Sequence, residues 1–418
     1  VHIIPQPANF LAAGSGNLCT FVRLQITPTD VSFLSRLYES LETAYGTPAL
    51  ALAAAAVVLF IVQLCYWMRC YARIPSYRVD GGQERDTQRP PVSVIVVVQD
   101  DFTYLEETLP LILGQQYPEF EVVVVDLASA EEFSDALQAL QEQHPHLSAT
   151  RIEQDTRFPI GRKLALNVGI KAARYERLLI TTTAARPTSD RWLALMARGF
   201  ERGDVVLGYC GMERKPGIVN RLIRCSRVMT SVRALSSAIR GVPYRGSIHN
   251  LGFTKTLYFG VKGFNYLNLN SGEDDLFLQT IATPDNTAVI LNPKATVRQW
   301  QWGGASWWHD LRKFESYTYK YYPLPVKNAV QWELGSRLLF LATVLTALCL
   351  LPPEFKLGAL ALWLLRLGIV EFESWRIRRR LGEGGLGWCW IVYDLWAPLC
   401  EIRLWLSRTL RPSKGLWR

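Results

Sequence analysis

The chain has 418 residues, 49% of them apolar, and 46 Lys and Arg against 37 Asp and Glu give it a net charge of +9. That length exceeds the usual single domain, so one large core with accessory segments is expected. No nucleic-acid module accompanies the positive charge and many basic residues flank apolar runs, which favours a membrane surface over nucleic acid as a partner.

The first stretch, Val1 to Thr47, is mixed in character, and residues 1–30 are assigned no structure. The chain starts with Val and its first methionine is Met68, for which an alternative start codon or an over-extended reading frame would account. Residues 48–67 form a charge-free run, long enough to span a bilayer core of roughly 30 Å. Arg69, Arg73 and Arg78 follow at once and place the C-terminal side in the cytoplasm by the positive-inside rule. The mixed stretch ahead of the run fits a retained anchor better than a cleaved signal peptide.

Residues 90–325 read as a water-soluble α/β domain. Val92 to Val98 is an almost continuous β-branched run, the pattern of a strand buried on both faces of a parallel sheet. A helix over Leu105 to Leu113, a second buried strand over Glu121 to Asp126, and a helix over Phe133 to Gln143 follow. This alternation predicts a doubly wound, Rossmann-like sheet whose ligands lie beyond the carboxyl ends of the strands. Asp100, Asp101 and Asp126 fall at such ends, where a carboxylate can bind a nucleobase or ribose or can cap the next helix. Arg162 and Lys163 open a further helix, and a lysine there could neutralise a diphosphate or be an ordinary surface residue. A third buried strand, Arg177 to Thr181, leads into Thr182-Thr183-Ala184. The eight cysteines show neither Cys-x-x-Cys nor metal-ligand spacing and read as buried hydrophobes in a reducing compartment.

Near the C-terminus, two apolar runs, Leu338 to Leu351 and Leu357 to Val370, flank a Pro-Pro turn. They predict a membrane hairpin over residues 336–375, with a re-entrant or interfacial pair as the alternative. Residues 386–418 are tryptophan-rich but charged, which suits an interfacial helix with a basic tail.

The order Val92–Asp101, Tyr117-Pro118, Val122–Asp126, Lys163–Asn167, Leu178–Pro187, Trp192-Leu193 and Gly272-Glu273-Asp274-Asp275-Leu276 resembles a family 2 glycosyltransferase, closest to the membrane-bound type common in Bacteroidetes. The likeness runs from about Pro90 to the C-terminus and includes Tyr319 to Tyr322 and Ser336 to Phe340. It implies a GT-A fold, a nucleotide-sugar donor and a lipid-linked or polysaccharide acceptor. It further implies that Asp274 with Glu273 is catalytic, Asp274 removing the acceptor's proton, although the acidic cluster could equally cap the following helix. Asp100, Asp101, Asp126, Lys163 and Thr182 would then hold the donor, and Trp307, Trp308 and Arg312 the acceptor or diphosphate side. Trp300, Trp302, Trp307 and Trp308 could stack on sugar or lipid, or sit at the membrane interface.

The family's Asp-x-Asp, which holds Mg or Mn on the diphosphate, falls on Thr182, Thr183 and Ala184, so no metal ligand is assigned. The Gln-x-x-Arg-Trp motif is replaced around Asp310, Lys313 and Phe314, and His249-Asn250-Leu251-Gly252 stands where relatives carry Arg-Asn-Leu-Ala. Two functions therefore stand. One is a transferase that uses cationic side chains in place of a metal. The other is an inactive scaffold that partners an active glycosyltransferase. A transporter fits poorly, because most of the chain reads as soluble α/β domain.

Overall fold

The computed structural model describes residues 40, 42–43, 45–78, 89–153, 161–264, 271–301 and 303–410. The readings of residues 1–30, Trp302, Arg411, Lys414 and Arg418 lie outside these.

The chain divides into two compact units, one of Val1–Ile61 with Leu339–Leu364 and one of Val62–Leu338 with Leu365–Arg418. Within the first, aromatic rings pair across the helices: Tyr45 meets Phe355 edge-on at 5.0 Å, and Phe60 lies 6.4 Å from Phe340. Val57, Val58, Ile61, Leu339, Leu345 and Leu357 stay exposed, an outward apolar surface suited to lipid.

The second unit is built on a seven-stranded sheet. Its strands are β1 (Val92–Val98), β2 (Phe120–Leu127), β3 (Leu147–Ile152), β4 (Arg177–Ile180), β6 (Val205–Gly208), β8 (Leu251–Thr254) and β9 (Thr287–Ile290), in the order β3-β2-β1-β4-β8-β6-β9. All pairings are parallel except those of β8, which runs antiparallel to β4 and β6. The β-branched runs expected to be buried on both faces are so buried. Val92, Val94, Val96 and Val98 enter one apolar layer with Val122 and Val124, whereas Ile95 enters the opposite layer with Val123 and Val125. This is the period-two alternation of a pleated strand, and each fully buried Val or Ile side chain stabilises the fold by roughly 1.5–3 kcal/mol. A second sheet, β5 (Ala185–Pro187), β7 (Cys210–Met212) and β10 (Val297–Gln299), takes the order β5-β10-β7.

The helices are α1 (Thr47–Cys65), α2 (Leu109–Leu113), α3 (Glu131–Gln143), α4 (Arg162–Ala172), α5 (Trp192–Ala197), α6 (Ile218–Ile239), α7 (Lys255–Gly260), α8 (Leu276–Ile281), α9 (Gly304–Glu315), α10 (Leu324–Leu350), α11 (Pro353–Arg380) and α12 (Gly387–Leu410). Helix α4 lies hard against the sheet because Gly169 has no side chain; a Cβ there would come within 2.8 Å of Ile95 and Val125. That close approach sets the height of Arg162 and Lys163 at the helix entrance.

Among the described residues, two helices are long and apolar enough to cross a membrane, Thr47–Ser76 and Leu324–Leu350. Helix α10 starts well ahead of the apolar run because its charges are neutralised internally: Glu333 pairs with Arg337 one turn on and with Arg233 of α6 at 2.9 Å. The second leg of the expected hairpin, α11, carries Arg366 in its apolar run. Arg366 is fully buried and donates to Asp394 at 2.6 Å and to Gln63 at 2.9 Å. Helix α12 is amphipathic. Trp388, Val392, Leu395, Leu399, Ile402 and Leu406 are exposed at three- and four-residue spacing, while Cys389, Trp390, Tyr393, Ala397 and Leu404 are buried.

Asn250 ties three segments together. Its side-chain carbonyl accepts from the Trp192 indole at 3.0 Å, and its amide donates to the carbonyls of Tyr209 at 3.0 Å and Ala295 at 2.9 Å. It is fully buried, so Asn250→Ala leaves the Trp192 indole N–H and the Ala295 carbonyl without a partner, whereas the Tyr209 carbonyl keeps the Val297 N–H. At about 1–3 kcal/mol per orphaned group, with some relaxation, a loss on the order of 3 kcal/mol is expected in chemical denaturation. A loss below about 1 kcal/mol would show that the three links contribute little.

Candidate active site

The carboxyl end of β4, the loop before β8, the turn before α8, the start of α4 and helix α9 meet in one place. The loop 245–250 joins the first three. Thr181 donates its hydroxyl to the His249 carbonyl at 2.9 Å, Thr182 and His249 Nδ1 share a hydrogen bond at 2.6 Å, and the Gly246 N–H donates to the Asp274 carbonyl at 2.7 Å. The start of α4 adds Lys163, whose Nζ donates to the Ser271 carbonyl at 3.0 Å, and Arg162, 3.5 Å from Glu273. Gly272 makes the turn before the acidic cluster with φ +117°, a conformation that a side chain would strain.

The three acidic residues have different surroundings. Asp275 caps α8: its carboxylate accepts from the Leu276 N–H at 2.6 Å, from the Tyr322 hydroxyl at 2.8 Å and from the Thr318 hydroxyl. Glu273 is buried, and among the described residues neither of its carboxylate oxygens accepts a hydrogen bond. About a quarter of the Asp274 side chain reaches solvent, and the guanidinium facing it is that of Arg245, 3.6 Å away. The capping role therefore belongs to Asp275, and Asp274 is left available for chemistry. Burial pushes the Asp274 carboxyl up to about 7; Asp275, Glu315 and Glu273 push the same way and Arg245 opposes them. A carboxyl in that range can exchange a proton near neutral pH.

A cationic rim surrounds Glu315 at the end of helix α9. Arg227 of α6, Arg245 and Arg312 surround Glu315 at 3.0, 3.3 and 3.6 Å. Burial raises the Glu315 carboxyl, but these three arginines outweigh it and hold the group at about 2, charged at any working pH. Trp308 is buried with the Arg227 guanidinium over its ring at 5.1 Å, and Trp307 packs against Trp308. Trp300 donates its indole N–H to the Thr183 carbonyl at 2.9 Å. Burial lowers the Lys163 amine from its ordinary value. Burial, with Arg227 and Arg162 adding to it, drops the His249 imidazole to about 3, so His249 is neutral throughout the physiological range.

Asp100, Asp101 and Asp126 do lie at the ends of β1 and β2, engaged in hydrogen bonds of their own. Asp126 accepts from the Ser129 N–H and the Ser134 hydroxyl, Asp101 caps the turn at Tyr104, and Asp100 accepts from the Ala130 N–H. Lys163, Thr182, Glu273, Asp274, Trp308 and Arg312 join one connected site. Arg227, Arg245 and Glu315 are members that motif reading does not reach. The one available signal is the recurrence of arginine at 221, 224 and 227, which repeats on one face of a helix.

Helices α6, α9, α10 and α12 enclose a pocket of about 360 Å³ whose wall includes Arg245, the ion-pair partner of Asp274. Arg245, Arg312 and Glu315 form part of its wall, and Leu334, Leu338 and Ile402 give it an apolar side.

The chain is similar to known proteins. Residues 49–216 match the model of glycosyl transferase family 21. The fold is similar to that of a solved glycosyltransferase: the mannosyltransferase PcManGT from Pyrobaculum calidifontis, solved in complex with GDP-Man and Mn2+, superposes with a TM-score of 0.52 at 20% identity, over 83% of this chain and 99% of that one. TarS residues 1–349 from S. aureus also align, with a TM-score of 0.36 at 16% identity, over 74% of this chain and 91% of that one. No curated protein matches the sequence.

This similarity raises the question of a divalent metal. Thr182, Thr183 and Ala184 offer hydroxyls and no carboxylate, and Thr182 is already bonded to His249. Among the described residues no three His, Cys, Asp or Glu side chains converge as a ligand set. A hard cation requires anionic oxygens, so these residues do not fit one.

Proposed function

We propose that the chain transfers a sugar from a nucleotide-sugar donor to a lipid-linked or polysaccharide acceptor at the cytoplasmic face of a membrane, with the GT-A architecture and family 2-like motif order expected of such enzymes. The observation that carries this reading is Asp274, a carboxyl poised near neutrality whose ion-pair partner Arg245 lines a pocket with both charged and apolar walls. An acceptor's apolar portion would lie along α10 and α12, leaving its hydroxyl near Asp274. That carboxylate would take the hydroxyl proton while the oxygen attacks the anomeric carbon and the nucleoside diphosphate departs. Lys163 and Arg162, at the entrance of α4, would balance the diphosphate charge, electrostatic work that does not need a metal.

Membrane attachment is supported by the two apolar helices, the arginines after α1 and the exposed apolar row of α12, which would lie along the interface. A second reading, an inactive scaffold for an active partner glycosyltransferase, draws on the absence of carboxylates at Thr182–Ala184.

Calorimetric titration of the detergent-purified protein with UDP and GDP, with and without Mg or Mn, distinguishes the two. Binding of one nucleotide with the same affinity in both conditions is expected for the transferase. No binding of either nucleotide, in protein shown to be folded, would support the scaffold.

A further inference from the structure

Arg245 pairs with two carboxylates. Its Nη2 lies 3.6 Å from Asp274 and 3.3 Å from Glu315, so a single nitrogen divides its charge between two carboxylates. The two are unequal claimants. Glu315 also has Arg227 at 3.0 Å and Arg312 at 3.6 Å, whereas Asp274 forms its one ion pair among the described residues with Arg245. The remaining charged groups facing Asp274 are Glu273 and Asp275 of its own turn and Glu315 of α9. Arg162 stands behind Glu273, while Thr318 and Tyr322 hold Asp275.

We propose that Arg245 is a positioning residue for Asp274, a guanidinium held on loan between the base and Glu315, with Glu315 acting as the competitor that limits how much of it Asp274 receives. This rests on the reading of Asp274 as the base. Near-surface charges a few ångströms apart still interact by several kcal/mol at an effective dielectric of about 20, so redistributing one guanidinium is felt by both acids. Arg245 and Glu315 both line the pocket, so a bound acceptor touches this pair and displaces water from it. Loss of that water strengthens the Arg245–Asp274 attraction, which holds Asp274 as the carboxylate until the acceptor's hydroxyl is in place.

The test reads the ionisation of Asp274 itself. Its protonated carboxyl gives an infrared carbonyl band, assigned as the band missing from Asp274→Asn, and its titration midpoint is followed in the full-length protein. Arg245→Met should raise the midpoint by one to three pH units, as expected when a carboxylate loses an adjacent cation. Glu315→Gln should lower it by about one unit, because Arg245 is released to Asp274 and a like charge disappears. Arg245→Lys should restore most of the wild-type midpoint.

A midpoint unmoved in folded Arg245→Met would make Arg245 a structural tie between the loop and α9, and would overturn the proposal. If Arg245→Met does not fold, Glu315→Gln decides alone: a midpoint unchanged or raised refutes the competition. The band is observed without turnover. Retained activity in Asp274→Asn would therefore remove the base reading separately from the Arg245 result.

Discussion

Asp274→Asn is expected to lower kcat by 10²- to 10⁴-fold while leaving nucleotide affinity within about twofold, the loss typical of removing a positioned general base. The amide keeps the shape of the carboxylate and removes its ability to take a proton. Asp275, the neighbour that caps α8, is untouched by the change, so the turn should survive it. The wild-type pH profile has a defined sign. Burial raises the Asp274 carboxyl to about 7, the active form is the carboxylate, and the rate should therefore climb with pH through about 7 and level off above it. A profile flat from pH 5.5 to 8.5, or an Asp274→Asn variant with wild-type kcat, would remove Asp274 from the chemistry.

The largest stability effect is expected at Glu383, in the turn between α11 and α12. Its carboxylate accepts from the Tyr209 hydroxyl at 2.9 Å, from Arg224 at 2.6 Å and from Arg298. The surrounding carbonyls are used as well: Gly382 accepts from Arg214 and Arg298, and Gly384 accepts from Arg224. Glu383→Ala would leave two guanidiniums in the interior without a counter-charge. Breaking a buried ion pair from one side costs about 3–5 kcal/mol, and here one acid serves two arginines, so a value at the upper end is expected. The measurement is the midpoint of denaturant unfolding, with Glu383→Gln as the companion. Gln keeps hydrogen-bond acceptance without charge and should lose less. Equal loss in both variants would assign the effect to charge alone, and a loss below about 1 kcal/mol in Glu383→Ala would show that the turn is dispensable to the fold.

The ion pairs explain why some of the chain was legible and some was not. The valine runs at 92–98 and 122–125 declare a buried parallel sheet by composition alone, because a strand covered on both faces must be apolar at every position. The residues 48–67 declare a candidate span for the same reason, since hydrocarbon accepts no charge over that length. The strand ends, the entrance of α4 and the acidic cluster at 273–275 also follow from local pattern.

Which acid caps the helix and which is free to react was not written locally. Asp274 and Asp275 are adjacent and chemically identical, and they are told apart by Thr318, Tyr322 and Arg245, which the chain brings in from 43, 47 and 29 residues away. The same holds for Arg366. In sequence it interrupts an apolar run, whereas in the fold it is fully buried on Asp394 and Gln63. Hydrophobic periodicity is a property of neighbours along the chain and is visible in the sequence. The partner of a buried charge is chosen by packing between distant segments, and only the tertiary structure decides it.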